Sequence, residues 1–137
     1  LLIMKKKNIL KNVVEPLQQI EDSRGMITDI FYKEDINHVA IINSEPNTLR
    51  GNHYHKETTQ HILILKGELE YWYKDLNSPE LSKMVLAKKG DLVSTPPYEI
   101  HALKIKDEKN SFIVFSSGSR GGKDYESDTF RVDSIIR

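Results

Sequence analysis

The stretch that decides the fold is His53-Tyr54-His55-Lys56-Glu57-Thr58-Thr59-Gln60, followed by Gly67 and, a further turn on, by Gly90, Pro96-Pro97 and His101. Residues two apart on an extended strand point to the same face, so His53 and His55 can converge on one point without a helix. Three imidazoles and one amide oxygen form the donor set of a mononuclear metal centre. They equally form the set of a histidine-based acid/base site.

Around this stretch the chain reads as strands. Apolar runs are short and end at Gly, Pro, Asn or Asp, giving candidate strands at Met26–Tyr32, His38–Asn43, Leu49–His55, His61–Leu65, Glu68–Lys74, Ser82–Ala87, Leu92–Thr95, His101–Lys106, Phe112–Ser116 and Phe130–Ile135. Strands at such regular spacing within one domain, here 1–137, imply a sandwich or barrel. Lys33–Asn37 and Asn77–Leu81 could each hold one helical turn, and Gly118–Lys123 reads as a mobile connection able to serve as a lid. Asp22-Ser23-Arg24-Gly25 reads as a tight turn with Gly25 at positive φ.

Composition narrows the function. The 137 residues carry 20 basic and 20 acidic side chains, a balance that disfavours nucleic acid and polybasic membrane attachment. Cysteine is absent, which excludes thiolate nucleophiles, thiolate zinc sites and disulfides and agrees with a reducing, cytoplasmic setting. Leu1-Leu2-Ile3-Met4 is too short for a signal segment and is followed by lysines, so it reads as an untargeted start with Met4 as initiator. No run approaches the length of a membrane span.

Alternation places Gly51, His53 and His55 on one face, and the inward register resumes at Gln60, Ile62 and Ile64. His101, Leu103 and Ile105 repeat the layout, a polar group above aliphatic ones. A barrel built this way holds a site near its mouth over an apolar floor. His61 falls out of phase and His38 has no sequence partner, so neither is assigned to the site; Tyr71-Trp72-Tyr73 reads as strand packing.

The spacing from His53 through His55 and Gln60 to Gly67 resembles the first motif of the cupin superfamily, and Gly90-Asp91-Leu92-Val93-Ser94-Thr95-Pro96 with His101 resembles the second. The resemblance implies an all-β fold, the antiparallel jelly-roll barrel also called a double-stranded β-helix. It departs at Gln60, where the motif usually has Glu, and at Tyr98, where it usually has Gly. A neutral amide holds a divalent ion less tightly than a carboxylate. Arg50-Gly51-Asn52-His53-Tyr54-His55-Lys56, with Asp22-Ser23-Arg24-Gly25 upstream, is similar to cupins that isomerise or epimerise deoxythymidine-diphosphate 4-keto-6-deoxy sugars. That similarity implies His53 and His55 as acid/base residues and Arg50 as a diphosphate contact, with Lys56, Gln60 and Tyr98 as further substrate contacts. It departs where aromatic residues of a nucleotide pocket are expected and Val39-Ala40-Ile41-Ile42 stand.

Three functions follow as expectations: a nucleotide-keto-sugar isomerase or epimerase, a metal-dependent oxygenase or lyase, and a non-enzymatic small-ligand binder. The second uses His53, His55, Gln60 and His101 to hold Fe, Mn, Ni or Zn. No organic cofactor is expected. Exposed edge strands of a small cupin imply a homodimer, with Ile9–Val14 as a candidate exchanged strand.

Overall fold

The computed structural model describes residues 3–137; Leu1 and Leu2 of the apolar opening lie outside it. Among the described residues twelve strands form: β1 Lys5–Asn8, β2 Gln19–Asp22, β3 Gly25–Thr28, β4 His38–Ser44, β5 Leu49–Tyr54, β6 Thr59–Lys66, β7 Leu69–Asp75, β8 Lys83–Ala87, β9 Asp91–Thr95, β10 Glu99–Ile105, β11 Asn110–Ser117 and β12 Phe130–Arg131. Two five-stranded antiparallel sheets, ordered β1-β9-β6-β11-β4 and β12-β5-β10-β7-β8, make a jelly roll, and β2 and β3 form a separate hairpin. Among the described residues no helix is long and apolar enough to cross a membrane.

The core lies where the alternating residues of both sheets meet. Ile62, Ile64, Val93, Phe112 and Val114 from one sheet pack with Leu69, Tyr71, Ala87, Leu103 and Ile105 from the other. Tyr71 is fully buried, and its hydroxyl finds a partner in the Thr95 hydroxyl, as a buried phenol requires. This is the packing role read for Tyr71–Tyr73.

Several expected elements shift. The strand read at Met26–Tyr32 ends at Thr28, and the one read at Phe130–Ile135 is two residues long. Beyond Arg131 the tail is held by single bonds rather than a ladder: Val132 N–H donates to the Asn52 carbonyl at 3.0 Å, and Ile135 N–H to Asn52 Oδ1 at 3.0 Å. Strand β1 escaped the sequence reading because its lysines carry no apolar period. It pairs with β9 at the sheet edge, where lysine is a common guard against edge-to-edge association. Ile9–Val14 is not a strand; the Asn8 side chain accepts from Leu10 N–H at 3.0 Å and turns the chain at once. Lys33–Asn37 and Asn77–Leu81 form bends and turns, and among the described residues the one short 3-10 turn is Gly122–Asp124.

Candidate functional site

Strands β5 and β10 build the site because they are antiparallel with His53 directly opposite His101. The register slips between His101 and Ala102, and Gly51 takes φ +87° beside that bulge. A Cβ there would stand 2.7 Å from the His101 carbonyl oxygen, so the approach of the two strands needs glycine. The imidazole centroids lie 4.7 Å apart for His53 and His101, 4.9 Å for His53 and His55, and 5.1 Å for His55 and His101. One ring nitrogen from each falls within 4.8 Å of the others.

Hydrogen bonds fix two of the tautomers. His55 Nδ1 lies 2.9 Å from the Asp128 carbonyl oxygen and His101 Nδ1 lies 3.1 Å from that of Glu99. A carbonyl only accepts, so both nitrogens carry the proton and both Nε2 atoms present a lone pair. His101 Nε2 and His53 Nδ1 are buried without a partner. Burial holds all three imidazoles neutral. It pushes His53 down to about 3, with the charges of His55, Arg120 and Arg131 adding to the effect, and it lowers His55 and His101 as well.

Beside the cluster opens a cavity of about 680 Å³ whose walls include Ala40, Ile42, Leu103, Phe112 and Val114. Its polar lining includes Gln60 and three arginines, Arg50, Arg120 and Arg131. Arg131 is neutralised by Glu126 at 2.9 Å. Arg50 donates only to neutral acceptors, Ser44 Oγ at 2.7 Å and the Asn43 carbonyl at 3.2 Å. Arg120 donates to Gln60 Oε1 at 3.1 Å, to His55 Nε2 at 3.3 Å and to the Tyr125 carbonyl at 3.2 Å.

Arg120 rides on a strap, residues 118–128, that leaves β11 and crosses to β12. Glycine lets it lie close: a Cβ on Gly118 would stand 2.6 Å from Thr58 Oγ1, and one on Gly121 would stand 2.7 Å from the His38 ring. The Asp128 carboxylate pins its far end, accepting from the N–H groups of Lys56, Glu57 and Thr58, each at 2.9 Å, and from the Thr58 hydroxyl at 2.8 Å.

The structure therefore brings His53, Gln60, His101 and Arg50 to one cavity, with His55 buried beside it against His53, His101 and Arg120. Two expected contacts do not belong to it. Lys56 follows His55 and by alternation faces away, its Nζ 4.2 Å from the centre of the Phe130 ring. Tyr98 is 46% exposed and stacks on Tyr54, whose side chain leaves the opposite face from the histidines. Conversely His38, read as unassigned, lines the cavity beneath the strap. His61 stays outside the cluster but is half-buried rather than exposed, packed on Phe31 with Nδ1 2.6 Å from Ser94 Oγ. The wall that lacks aromatic residues is formed by Ala40 and Ile42.

Residues 20–130 match the family described as the polysaccharide biosynthesis C-terminal domain. The chain belongs to that family. A curated relative of this polysaccharide-biosynthesis domain is the UDP-2-acetamido-2,6-beta-L-arabino-hexul-4-ose reductase of Pseudomonas aeruginosa, 24% identical over 81 residues; the match spans 58% of this chain and 22% of that protein. Among solved structures, the capsular polysaccharide assembling protein CapF of Staphylococcus aureus is 21% identical with a TM-score of 0.64, covering 88% of this chain and 34% of that one. The 3,4-ketoisomerase QdtA of Thermoanaerobacterium thermosaccharolyticum, in complex with TDP-4-keto-6-deoxyglucose, is 20% identical with a TM-score of 0.70, covering 96% of this chain and 89% of that one. At these identities the likeness to the solved structures is one of fold.

Proposed function

We propose that this polysaccharide-biosynthesis domain is an isomerase or epimerase of a nucleotide-linked 4-keto-6-deoxy sugar, moving the proton through its histidine pair. The observation that carries the reading is His55, whose Nε2 lone pair is set by the Asp128 carbonyl and meets Arg120, one of two guanidiniums in the adjoining cavity that have no carboxylate partner. A neutral imidazole can remove the acidified proton next to a ketone, and an arginine without a carboxylate partner suits a diphosphate. Arg50, at the rim, is the diphosphate contact. The fold shared with a 3,4-ketoisomerase that binds a TDP-keto sugar supports the same substrate class.

The test is incubation with TDP-4-keto-6-deoxyglucose in heavy water. Deuterium washes into the sugar ring, the rate falls on substitution of the histidine base, and a chelator leaves it unchanged. No exchange in the wild-type protein rejects the reading.

A second reading is favoured by the unpartnered His53 Nδ1 and His101 Nε2, because buried polar atoms normally have partners. His53, His55 and His101, with Gln60, would hold a divalent Fe, Mn, Ni or Zn ion, which when bound would polarise the substrate carbonyl as a Lewis acid. Loss of exchange with chelator, restored by one of these ions, selects it over the metal-free reading.

The same reading takes the protein as a homodimer. Strand β4 is a sheet edge with Val39 and Ile41 57% and 60% exposed, a surface suited to pairing with a second copy. A one-chain mass at micromolar concentration in sedimentation equilibrium rejects it.

A further inference from the structure

Arg120 is a charged group in this cavity that the sequence reading left unused. Its guanidinium is permanently charged, and none of the ion pairs among the described residues includes it. Instead it rests on three neutral acceptors, the Tyr125 carbonyl at 3.2 Å, Gln60 Oε1 at 3.1 Å and His55 Nε2 at 3.3 Å. The contact to His55 matters most. With Nδ1–H bonded to the Asp128 carbonyl, Nε2 is the sole basic atom of His55, and Arg120 covers it. An imidazole in that position cannot accept a proton until the guanidinium moves.

We propose that Arg120 is a catalytic residue: its guanidinium takes the substrate's ketone oxygen and carries the negative charge that develops there, and in doing so uncovers the base. The inference rests on the keto-sugar reading. In the reaction, the C–H bond beside the carbonyl breaks and His55 Nε2 takes the proton. The C–H electron pair becomes a C=C bond, and the carbonyl π pair moves to the oxygen facing Arg120. For ketoisomerisation the proton returns to the former carbonyl carbon, the adjacent hydroxyl oxygen becomes the new carbonyl, and its proton passes to the first oxygen. For epimerisation a water on the other face supplies a proton to the original carbon, and His55 gives up its own proton to solvent. Atoms and electrons balance without an oxidant or a reductant.

The geometry gives the step its order. A ketone oxygen gaining charge is a stronger acceptor than an imidazole nitrogen, so the N–H bond leaves His55 for the substrate as the base is needed. In an empty cavity the base stays covered. Gly118 and Gly121 seat the strap against Thr58 and His38, so Arg120 is positioned by packing rather than by chance encounter. Gln60, a neutral amide where a carboxylate would bind the guanidinium firmly, leaves it free to transfer.

The experiment compares wild type, Arg120→Ala and Arg120→Lys in three measurements: deuterium wash-in on TDP-4-keto-6-deoxyglucose, affinity for deoxythymidine diphosphate, and wash-in with added guanidinium ion. Arg120→Ala is expected to lose about 10²–10³-fold in kcat with diphosphate affinity kept within about threefold, which also reports a folded site. Added guanidinium restores exchange to the alanine variant and not to the wild type, and Arg120→Lys falls between the two. Exchange in Arg120→Ala within about threefold of wild type overturns the proposal, as does a loss traced wholly to weaker diphosphate binding. A wild-type protein that exchanges nothing overturns the keto-sugar reading itself, and the role of Arg120 with it.

Discussion

His53 and His55 differ in what their surroundings allow. The His55 ring is oriented by a carbonyl behind it and presents its lone pair to Arg120, which lines the cavity. His53 is pushed to about 3 by burial and by neighbouring positive charge, so it is a weak base at neutral pH. Base strength governs proton abstraction, so the two substitutions should be unequal. His55→Asn is expected to lower the deuterium exchange rate by about 10²–10⁴-fold and His53→Asn by about tenfold, measured at saturating substrate; the reverse order would transfer the base assignment to His53. The pair itself was legible from the sequence because it needs only the two-residue period of a strand. Lys56 was misplaced against that same period, which turns the residue after His55 to the other face, and Tyr98 because it lies in the turn before β10, where the period breaks at φ +66°. Arg120 was not legible. Its place follows from Ser116 pairing with Gln60 across β11 and β6, which delivers the next residues to the site, and that register is a long-range property.

The strap is the element that joins fold to chemistry. Asp128, at φ +60°, uses its carboxylate to cap the turn at Lys56–Thr58 and its carbonyl to orient His55. Burial alone would raise the Asp128 carboxyl, but the bonds from Lys56, Glu57 and Thr58 outweigh it and hold the group below its ordinary value. Asp128→Ala removes those acceptors and puts a Cβ residue without a local polar bond in a left-handed conformation. It should cost about 1.5–3 kcal/mol. Asp128→Asn, which tolerates that conformation and keeps one acceptor, should cost less. Loosening is read by trypsin, which cuts after Arg120 and Lys123: the alanine variant should be cleaved there faster than wild type under native conditions. Equal cleavage would show that Asp128 does not hold the strap. From sequence the glycine-rich segment Gly118–Lys123 reads as a lid, and its position over the cavity agrees. The close seating of Gly118 and Gly121 could not be read locally, since the residues they touch, Thr58 and His38, are far away in the chain.

At the scale of the whole molecule, the buried histidines and one buried acid make stability depend on pH in opposite directions. For a histidine whose folded value lies below 6.5, the unfolded chain takes up protons first, so stability is full above about 6.5 and is lost as pH falls toward the folded value. At pH 5 this amounts to about 2 kcal/mol for His53, and His55 and His101 act in the same sense. Glu99 is the counterweight. Burial raises it to about 7, the nearby Asp75 charge adds, and the Met4 N–H bond opposes. The unfolded carboxyl ionises from about 4.5 while the folded one does not until about 7, so acidification from 7 to 5 returns at most about 2.7 kcal/mol. Three histidines against one acid leave a net loss of stability between pH 7 and pH 5, growing below 4.5 where Glu99 no longer compensates. Urea unfolding at pH 8, 7, 6 and 5 measures it. Replacing His101 by Asn should flatten the acid limb, and Glu99→Gln should raise stability at pH 8 while steepening the fall toward pH 5. A wild-type profile that stays level down to pH 5 would mean that the imidazole cluster is not held neutral by burial.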